Sequence, residues 1–343
     1  ADYDGDGAID LFVGGRSVPG RYGLDPRSVL LRNDGHGHFT DVRDAVAPGL
    51  SHVGMVTDAL WKDIDGDGRP DLIVVGEWMP ITIFHNAGRG RLEKMNVPGL
   101  EKSNGWWNRI VAGDFAGNGR VDFIVGNLGL NSRLRATPAE PVTMYVKDFA
   151  GSGFVQQIIS YYNGGKVYPL ALRDDLLRSI PSLATRYPTY KSYATQTLAD
   201  VFPAKELADA VVRNAYTFAT SLVRNNGDGS FTLVPLPAAA QVSPVYGIAA
   251  GDLDGDGKTD LLMAGNFDGV QPAIGSLMAG YGVYLRGDGK GHFTPLRELD
   301  SGFMVPGQAR DIARVRTRSG DIYIVSRNND RPLIFQAGKA ATR

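Results

Sequence analysis

A nine-residue pattern with aspartates at positions one, three, five and nine recurs along this chain and constrains its fold more than any other feature. Glycine occupies positions four and six of the pattern. Five copies occur: loop 1 (residues 2–10), loop 2 (63–71), loop 3 (114–122), loop 4 (148–156) and loop 5 (252–260). Loops 1, 2 and 5 keep all four acids, whereas loops 3 and 4 carry alanine at position three. Such self-similarity is the sequence signature of a repeat architecture.

Each loop belongs to a larger unit that reads as β-structure. A short apolar run follows the loop, as in residues 72–75 and 261–264, and is typical of a buried strand. Further along come glycine-rich turns with Asn or Gly at their first position, at residues 33–39, 86–92, 225–231 and 287–293. Asn and Gly tolerate positive φ, so these turns predict hairpins between two strands.

The unit therefore predicts an all-β fold, a β-propeller of four-stranded blades with a small helical insertion. Four strands in roughly 50–60 residues is the period of a propeller blade. About six blades or part-blades are expected, in two propeller segments (1–169 and 221–343) flanking a helical insertion (170–220). Prolines punctuate the helical patterns of that insertion. Because loop 1 lacks a preceding strand, we expect sequence upstream of Ala1 to complete the ring.

The complete loops predict calcium sites. Glycines let the backbone curl tightly, so the carboxylates converge and their charges are tolerable only around a cation. Carboxylates and a backbone carbonyl at position seven form the all-oxygen ligand set that suits Ca²⁺, whereas Mg²⁺ prefers a smaller octahedron that retains water. The predicted ligands are Asp2, Asp4, Asp6, Ala8 and Asp10 in loop 1, Asp63, Asp65, Asp67, Arg69 and Asp71 in loop 2, and Asp252, Asp254, Asp256, Lys258 and Asp260 in loop 5.

Two other interpretations of the loops compete with a calcium site. An EF-hand requires a bidentate Glu at position twelve and flanking helices, but that position holds Val13, Val74 or Met263 inside β-type runs. The EF-hand is therefore excluded. The second alternative is an Asp-rich turn without metal. Three complete copies at blade spacing favour the metal. Loop 3, with Ala116 in place of an acid, should bind weakly or not at all, and loop 4 should be only a turn.

Composition excludes several function classes. The formal net charge of −1 provides no field that would recruit nucleic acid. No apolar run approaches the roughly 20 residues of a membrane-spanning helix. Cysteine is absent, which excludes disulfides and thiolate metal sites. No signal peptide is visible in this sequence.

The loops, each followed by Asp-Leu and a short apolar run, resemble the FG-GAP/VCBS repeats of integrin α-chain propellers and bacterial surface proteins. Residues 126–132 and 327–330 are most similar to bacterial proteins related to cartilage acidic protein. The resemblance implies calcium in loops between the first two strands of a blade, and a secreted or surface-attached protein in the extracellular space or cell envelope. The Phe-Gly and Gly-Ala-Pro signatures are absent, so no integrin-like ligand choice is carried over.

Two functional classes remain open at the level of sequence. The first is a non-catalytic scaffold for adhesion or for binding an extracellular protein or carbohydrate. The alternative is a calcium-dependent polysaccharide lyase or glycosidase built on a propeller, which needs a base and a cation in one cleft. No catalytic constellation is visible. Tryptophans 61, 78, 106 and 107 suit either stacking on sugar rings or packing between blades, with packing favoured.

Overall fold

The computed structural model describes residues 1–270, 275–318 and 320–336. The strands in the first half are β1 (Leu11–Val13), β2 (Val29–Asn33), β3 (Phe39–Asp41), β4 (Met55–Lys62), β5 (Asp71–Met79), β6 (Thr82–Gly88), β7 (Arg91–Lys94), β8 (Gly105–Trp106), β9 (Arg109–Gly113), β10 (Asp122–Gly126), β11 (Val142–Lys147), β12 (Gln156–Asn163) and β13 (Lys166–Pro169). Those that follow are β14 (Val211–Ala215), β15 (Ser221–Asn225), β16 (Phe231–Pro235), β17 (Val245–Gly251), β18 (Asp260–Gly265), β19 (Val283–Gly287), β20 (Phe293–Leu296), β21 (Ala309–Thr317), β22 (Gly320–Arg327) and β23 (Leu333–Gln336).

Helices are short throughout the described residues. They are α1 (Arg43–Val46), α2 (Arg173–Ser179), α3 (Leu183–Arg186), α4 (Tyr190–Tyr193), α5 (Leu198–Val201), α6 (Ala204–Leu207) and α7 (Glu298–Ser301), with one 3₁₀ turn at Ala238–Gln241. Helices α2 to α6 lie inside the segment 170–220, where the sequence predicts them. Across the described ranges, no helix has the length and apolar character needed to cross a membrane.

The strands form antiparallel sheets whose order follows the chain with one exception. Sheet 1 is β1-β2-β3, sheet 2 is β4-β5-β6-β7 with β8 paired to β5, sheet 3 is β9-β10-β15-β16, sheet 4 is β13-β12-β11-β14, sheet 5 is β17-β18-β19-β20 and sheet 6 is β21-β22-β23. Sheet 4 is the exception. Its strands, β11 to β14, come in the sequence between β10 and β15, which are the two middle strands of sheet 3. The prediction of an all-β fold is confirmed.

Strands β5, β10 and β18, the second strands of sheets 2, 3 and 5, are buried on both faces. On β5, Leu72 and Val74 join the core shared with sheet 1, while Ile73 and Val75 join the core shared with sheet 3. Successive side chains of a strand point to opposite faces. A strand that has a neighbouring sheet on each side therefore needs an uninterrupted apolar run. This explains why the segments after the loops lack the alternation of a half-exposed strand.

The same arrangement repeats from sheet to sheet. On β10, Phe123 packs with sheet 2 and Ile124 with sheet 5. On β18, Leu261 packs with sheet 3 and Leu262 with sheet 6. Sheets 1, 2, 3, 5 and 6 thus pack face to face in that order, and contacts between the first strands β4, β9, β17 and β21 follow the same order.

Sheet 4 and its helices form an inserted module (residues 127–220). Val142 and Met144 of β11 pack against Met55 and Trp78 of sheet 2. Helices α2 to α5 place an apolar cluster, which includes the buried Val201, against Ile158 of β12. The inserted module therefore has a core of its own besides the one that fixes it to sheet 2.

Candidate metal centres

The five Asp loops occupy equivalent places in the sheets. Loops 2, 3 and 5 join the first strand of a sheet to its second, and loop 1 immediately precedes β1. Loop 4 joins β11 to β12 in the inserted module. The repeated sequence pattern thus marks one structural position, the turn that leads into a strand, and in loops 2, 3 and 5 that strand is buried on both faces.

The carboxylate at position one closes each loop. In loop 2, Asp63 accepts hydrogen bonds from the backbone N–H groups of Gly66, at 2.7 Å, and Gly68, at 2.8 Å. Both glycines have positive φ, 82° and 85°, a conformation that an L side chain rarely adopts. Burial opposes ionisation of Asp63, but these N–H donors together hold its pKa below the ordinary value.

Three acids converge in each complete loop. Carboxylate oxygens of Asp2, Asp4 and Asp6 all lie within 4.8 Å of one another, as do those of Asp63, Asp65 and Asp67. In loop 5 the converging acids are Asp252, Asp254 and Asp260, so position nine replaces position five there. The Asp256 carboxylate instead forms an ion pair with Lys258, whose Nζ lies 3.1 Å from a carboxylate oxygen.

The position-seven carbonyls are free to act as ligands. The backbone oxygens of Ala8, Arg69 and Lys258 accept no hydrogen bond from any residue in the described part of the chain. The donor set of a complete loop is therefore carboxylate and carbonyl oxygen, which matches the preference of Ca²⁺. The residues present fit that ion.

Aspartates at position nine have a structural role that sequence reasoning missed. Asp71 is fully buried and accepts hydrogen bonds from Ile64 N, at 3.2 Å, and Asn86 N, at 2.7 Å. One carboxylate thereby connects the loop to β6, the strand that pairs with β5. The same connections are made by Asp10 to Tyr3 and Asn33, by Asp122 to Phe115 and Asn225, and by Asp260 to Leu253 and Gly287. Asp10 does not join the cluster of loop 1.

Burial dominates the titration of two of these aspartates. It raises the pKa of Asp71 and of Asp122 above the ordinary value, because the charged form loses hydration. Backbone N–H donors oppose the shift in both. In Asp71, the neighbouring carboxylate of Asp65 raises the pKa further and His85 lowers it.

A basic side chain from β2, β6 or β19, the strand that pairs with the one after the loop, faces the acid at position three. Arg32 Nε lies 2.6 Å from Asp4, and Arg286 Nε lies 2.8 Å from Asp254. In sheet 2 the same position holds His85, whose Nδ1 lies 3.3 Å from Asp65. Each basic residue directly precedes the Asn or Gly that starts a predicted hairpin turn, so this regularity is visible in the sequence. Only the structure shows that these residues contact the acid at position three.

Loops 3 and 4 keep the turn but not the acids. Asp114 still accepts from Asn118 N and Gly119 N, and Asp148 from Ser152 N and Gly153 N. With alanine at position three, neither forms a cluster of three metal-ligating side chains among the described residues.

The tryptophans lie mostly in cores. Trp107 is fully buried between sheets 2 and 3, and Trp78 is buried against the inserted module. Trp106 contacts Trp78 and Phe218, with ring centroids 5.1 and 5.0 Å apart. Packing therefore accounts for these rings, which is the alternative that the sequence favours.

The FG-GAP-like repeat family matches residues 2–74, 63–125 and 206–263, together more than half of the chain. The chain belongs to the FG-GAP-like repeat family. Residues 126–205, which this match leaves out, hold strands β11 to β13 and most of the helices. The match therefore covers loops 1, 2, 3 and 5 and leaves out loop 4.

Other comparisons are distant. No curated protein sequence is significantly similar to the chain. Among solved structures, the biofilm matrix protein Bap1 of V. cholerae is 14% identical with a TM-score of 0.32, over 99% of this chain and 50% of that one. A lectin of Agrocybe aegerita that recognises non-reducing terminal N-acetylglucosamine is 17% identical with a TM-score of 0.22, over 84% of this chain and 79% of that one. The chain thus spans half the length of Bap1, and both TM-scores are too low to establish a common fold.

Proposed function

We propose that this chain is a calcium-binding, non-catalytic β-propeller scaffold that holds an extracellular ligand, a protein or a carbohydrate. The observation that carries the proposal is the convergence of three carboxylates in each complete loop, at equivalent places in repeated sheets. Asp2, Asp63 and Asp252 start these loops. Membership in the FG-GAP-like repeat family supports the same assignment.

The propeller arrangement is supported by how the sheets pack. Sheets 1, 2, 3, 5 and 6 pack in sequence, and β5, β10 and β18 contact a neighbouring sheet on each face, as strands in the blades of a propeller do. The first strands of sheets 2, 3, 5 and 6, which are β4, β9, β17 and β21, contact one another in the same order. Arg109 of β9 lies 3.5 Å from Asp58 of β4 and 2.9 Å from Asp311 of β21. That guanidinium links three first strands, which suits their lining a common axis.

Calcium would act as a structural staple. Without an ion, each complete loop holds like charges close together, and ordering them costs free energy. Extracellular calcium modules bind with Kd of about 10⁻⁴–10⁻³ M. At a free concentration about tenfold above Kd, one site stabilises the fold by about 1.4 kcal/mol, and three sites by about 4 kcal/mol. That is a large part of the roughly 5–15 kcal/mol of a typical domain.

A non-catalytic role is supported by how the candidate acids and bases are used. Asp10, Asp71 and Asp260 are buried and hydrogen-bonded to backbone N–H groups. His38 and His292 occupy the same position of two hairpin turns and each contacts the aspartate four residues earlier. These groups stabilise turns, which is the role expected of them in a non-catalytic scaffold.

The test is thermal unfolding with and without bound metal. Chelation should lower Tm, and Ca²⁺ should restore it better than Mg²⁺. Asp65→Ala and Asp254→Ala should each remove part of the calcium-dependent increment, whereas Asp148→Ala, in a loop without an acid cluster, should leave it unchanged. An unchanged Tm after verified removal of metal would contradict the proposal. So would a hydrolytic or lyase activity that Asp65→Ala abolishes without changing Tm.

A further inference from the structure

The inserted module contains a cavity of about 490 Å³ that the calcium loops do not use. Strands β12 and β13 form one side of it, and α2, α4 and the segment after α4 form the other. Pockets that bind small molecules typically have volumes of about 300–1,000 Å³. The cavity is therefore large enough for a saccharide of one or two rings.

Tyrosine rings line this cavity from both sides. Tyr161 and Tyr168 are directly opposite each other in the β12–β13 pair, so their side chains project from the same face of sheet 4. Tyr190 of α4 lies across from them and is 52% exposed. An aromatic ring offers a flat apolar face, and the hydroxyl of tyrosine adds a polar edge. This combination suits a ligand whose C–H faces are rimmed by hydroxyl groups.

Some polar groups in the cavity are already engaged and hold its shape. The hydroxyl of Tyr193 donates to the backbone oxygen of Ala171, at 2.8 Å, and that of Tyr190 donates to Asp174, at 2.7 Å. Arg173 donates to the backbone oxygens of Tyr187 and Pro188. These bonds join α2 to the segments around α4, so the cavity is formed before any ligand arrives.

Other polar groups there have no protein partner. The hydroxyls of Tyr161 and Tyr168 and the side-chain amides of Asn163 and Gln196 make no hydrogen bond to any residue in ranges 1–270, 275–318 and 320–336. Phenol and amide groups both donate and accept, which is what recognition of sugar hydroxyls requires. Their convergence on one cavity supplies such partners from several directions.

A guanidinium without a counter-ion completes the lining. The side chain of Arg133 lies over the Tyr161 ring, 5.6 Å from its centroid, and forms no ion pair or hydrogen bond with the described residues. Arg173, the second arginine of the lining, is held by backbone oxygens and by Asp174. Arg133 can therefore pair with an anion from outside, and a guanidinium matches a carboxylate in bidentate geometry.

We propose that this cavity binds a saccharide that carries a carboxylate, a uronic acid residue of an acidic glycan. The tyrosine rings would contact the C–H faces of the sugar, the amides and phenols its hydroxyls, and Arg133 its carboxylate. The proposal names the ligand class of the scaffold and in that respect rests on the function proposed above. It assigns recognition to the inserted module, away from the calcium loops.

Binding of defined oligosaccharides to the full chain tests this assignment. Isothermal titration would use trigalacturonate, trimannuronate and a hyaluronan tetrasaccharide, each with its methyl ester as the uncharged match. At least one acidic probe should bind, and its uncharged match at least tenfold more weakly. Arg133→Met should weaken binding about tenfold, and Tyr168→Phe a few-fold. Arg178→Met removes an exposed arginine of α2 outside the cavity and should change nothing.

Calcium-dependent Tm, measured on the same samples, separates this inference from the proposed function. If calcium stabilises the protein but none of the acidic probes binds, the assignment of the cavity is overturned and the scaffold stands. Binding that survives Arg133→Met, or that the methyl ester retains in full, also overturns it. If an acidic probe binds as expected but calcium has no effect on Tm, the metal proposal fails alone. Preference for a peptide with a free carboxyl terminus over every glycan would overturn the ligand class.

Discussion

The Nε atom of Arg286 lies 2.8 Å from a carboxylate oxygen of Asp254, an acid that the proposed calcium site would use. The guanidinium is half exposed, so the pair is of the kind that contributes about 0.2–1 kcal/mol. Arg32 and Asp4 repeat the relationship in sheet 1. A cation of the protein and a calcium ion would thus compete for the same carboxylate.

Replacing Arg286 should therefore strengthen calcium binding. We expect Arg286→Met to raise the apparent affinity of loop 5 by about 1.4- to 5-fold, which is the fold-change that 0.2–1 kcal/mol gives. The measurement is Tm against calcium concentration. Arg224→Met is the matched control, because Arg224 holds the same strand position in sheet 3, where loop 3 has Ala116 in place of the acid. Weaker calcium binding by Arg286→Met would show that the arginine supports the site.

The repeats were predictable from sequence because their signals are local. Turn glycines, clustered acids and apolar runs depend on neighbours within about ten residues, and the structure places each run in a strand. Leu72 and Ile73 pack into different cores. This also follows from the uninterrupted apolar run, because only a strand that is covered on both faces can bury every one of its side chains.

The inserted sheet was not predictable in the same way. Loop 4 resembles the other loops, and nothing near Asp122 indicates that the next strand in its sheet begins only at Ser221. Strand pairing is decided by tertiary contacts, and the same local pattern is compatible with either partner. From the sequence pattern, the position-nine aspartates are predicted only as metal ligands. Their other partner is a backbone N–H group on a strand distant in sequence, and because almost every residue type has such a group, no sequence signal marks it.

Buried Asp122 should make stability depend on pH. Its pKa is raised, chiefly by burial, from an ordinary value of 3.8. The folded state therefore binds the proton more tightly than the unfolded chain, and stability falls as pH rises from about 4 through the folded-state pKa. Asp122→Asn cannot ionise, so the difference between the wild type and this variant should shrink over that range.

Urea unfolding at several pH values between 4 and 7 measures this difference. The variant should also be less stable by about 1–3 kcal/mol, because its amide N–H₂ would face backbone donors that the carboxylate accepts. The bonds at risk come from Phe115, Ala116 and Asn225. An advantage of the wild type that grows with pH would contradict the expected sign and would mean that the folded state favours the ionised carboxylate.

Gly99 should be intolerant of a side chain for two separate reasons. Its φ is +90°, and a Cβ there would lie 1.9 Å from the backbone oxygen of Phe231, where sheets 2 and 3 meet. Gly49 has a similar φ, +86°, but open space around it. The conformation alone costs about 1–2 kcal/mol, and overpacking adds about 1–3 kcal/mol. Chemical unfolding should therefore find Gly99→Ala less stable than Gly49→Ala. Equal decreases in the free energy of unfolding would show that sheets 2 and 3 can move apart at this position without destabilising the protein.

We expect that one substitution can build a calcium site in loop 3. The loop retains its turn, with Asp114 bonded to Asn118 N and Gly119 N, and lacks the acid at position three. Ala116 is half buried, and an aspartate there would stand at the loop position that Asp4, Asp65 and Asp254 hold in the complete loops. Ala116→Asp would give this loop the carboxylate and carbonyl oxygens of the complete loops, with an amide at position five.

We therefore expect Ala116→Asp to add about 1.4 kcal/mol of calcium-dependent stability at a concentration about tenfold above Kd. Without calcium the variant should be no more stable than the wild type, since the new carboxylate only adds repulsion. Ala150→Asp in loop 4 is the control, because Ser152 and Gln156 leave that loop with too few acids. Comparable calcium-dependent gains from both substitutions would mean that added negative charge alone attracts the ion, and that convergence of the loop acids is not what selects it.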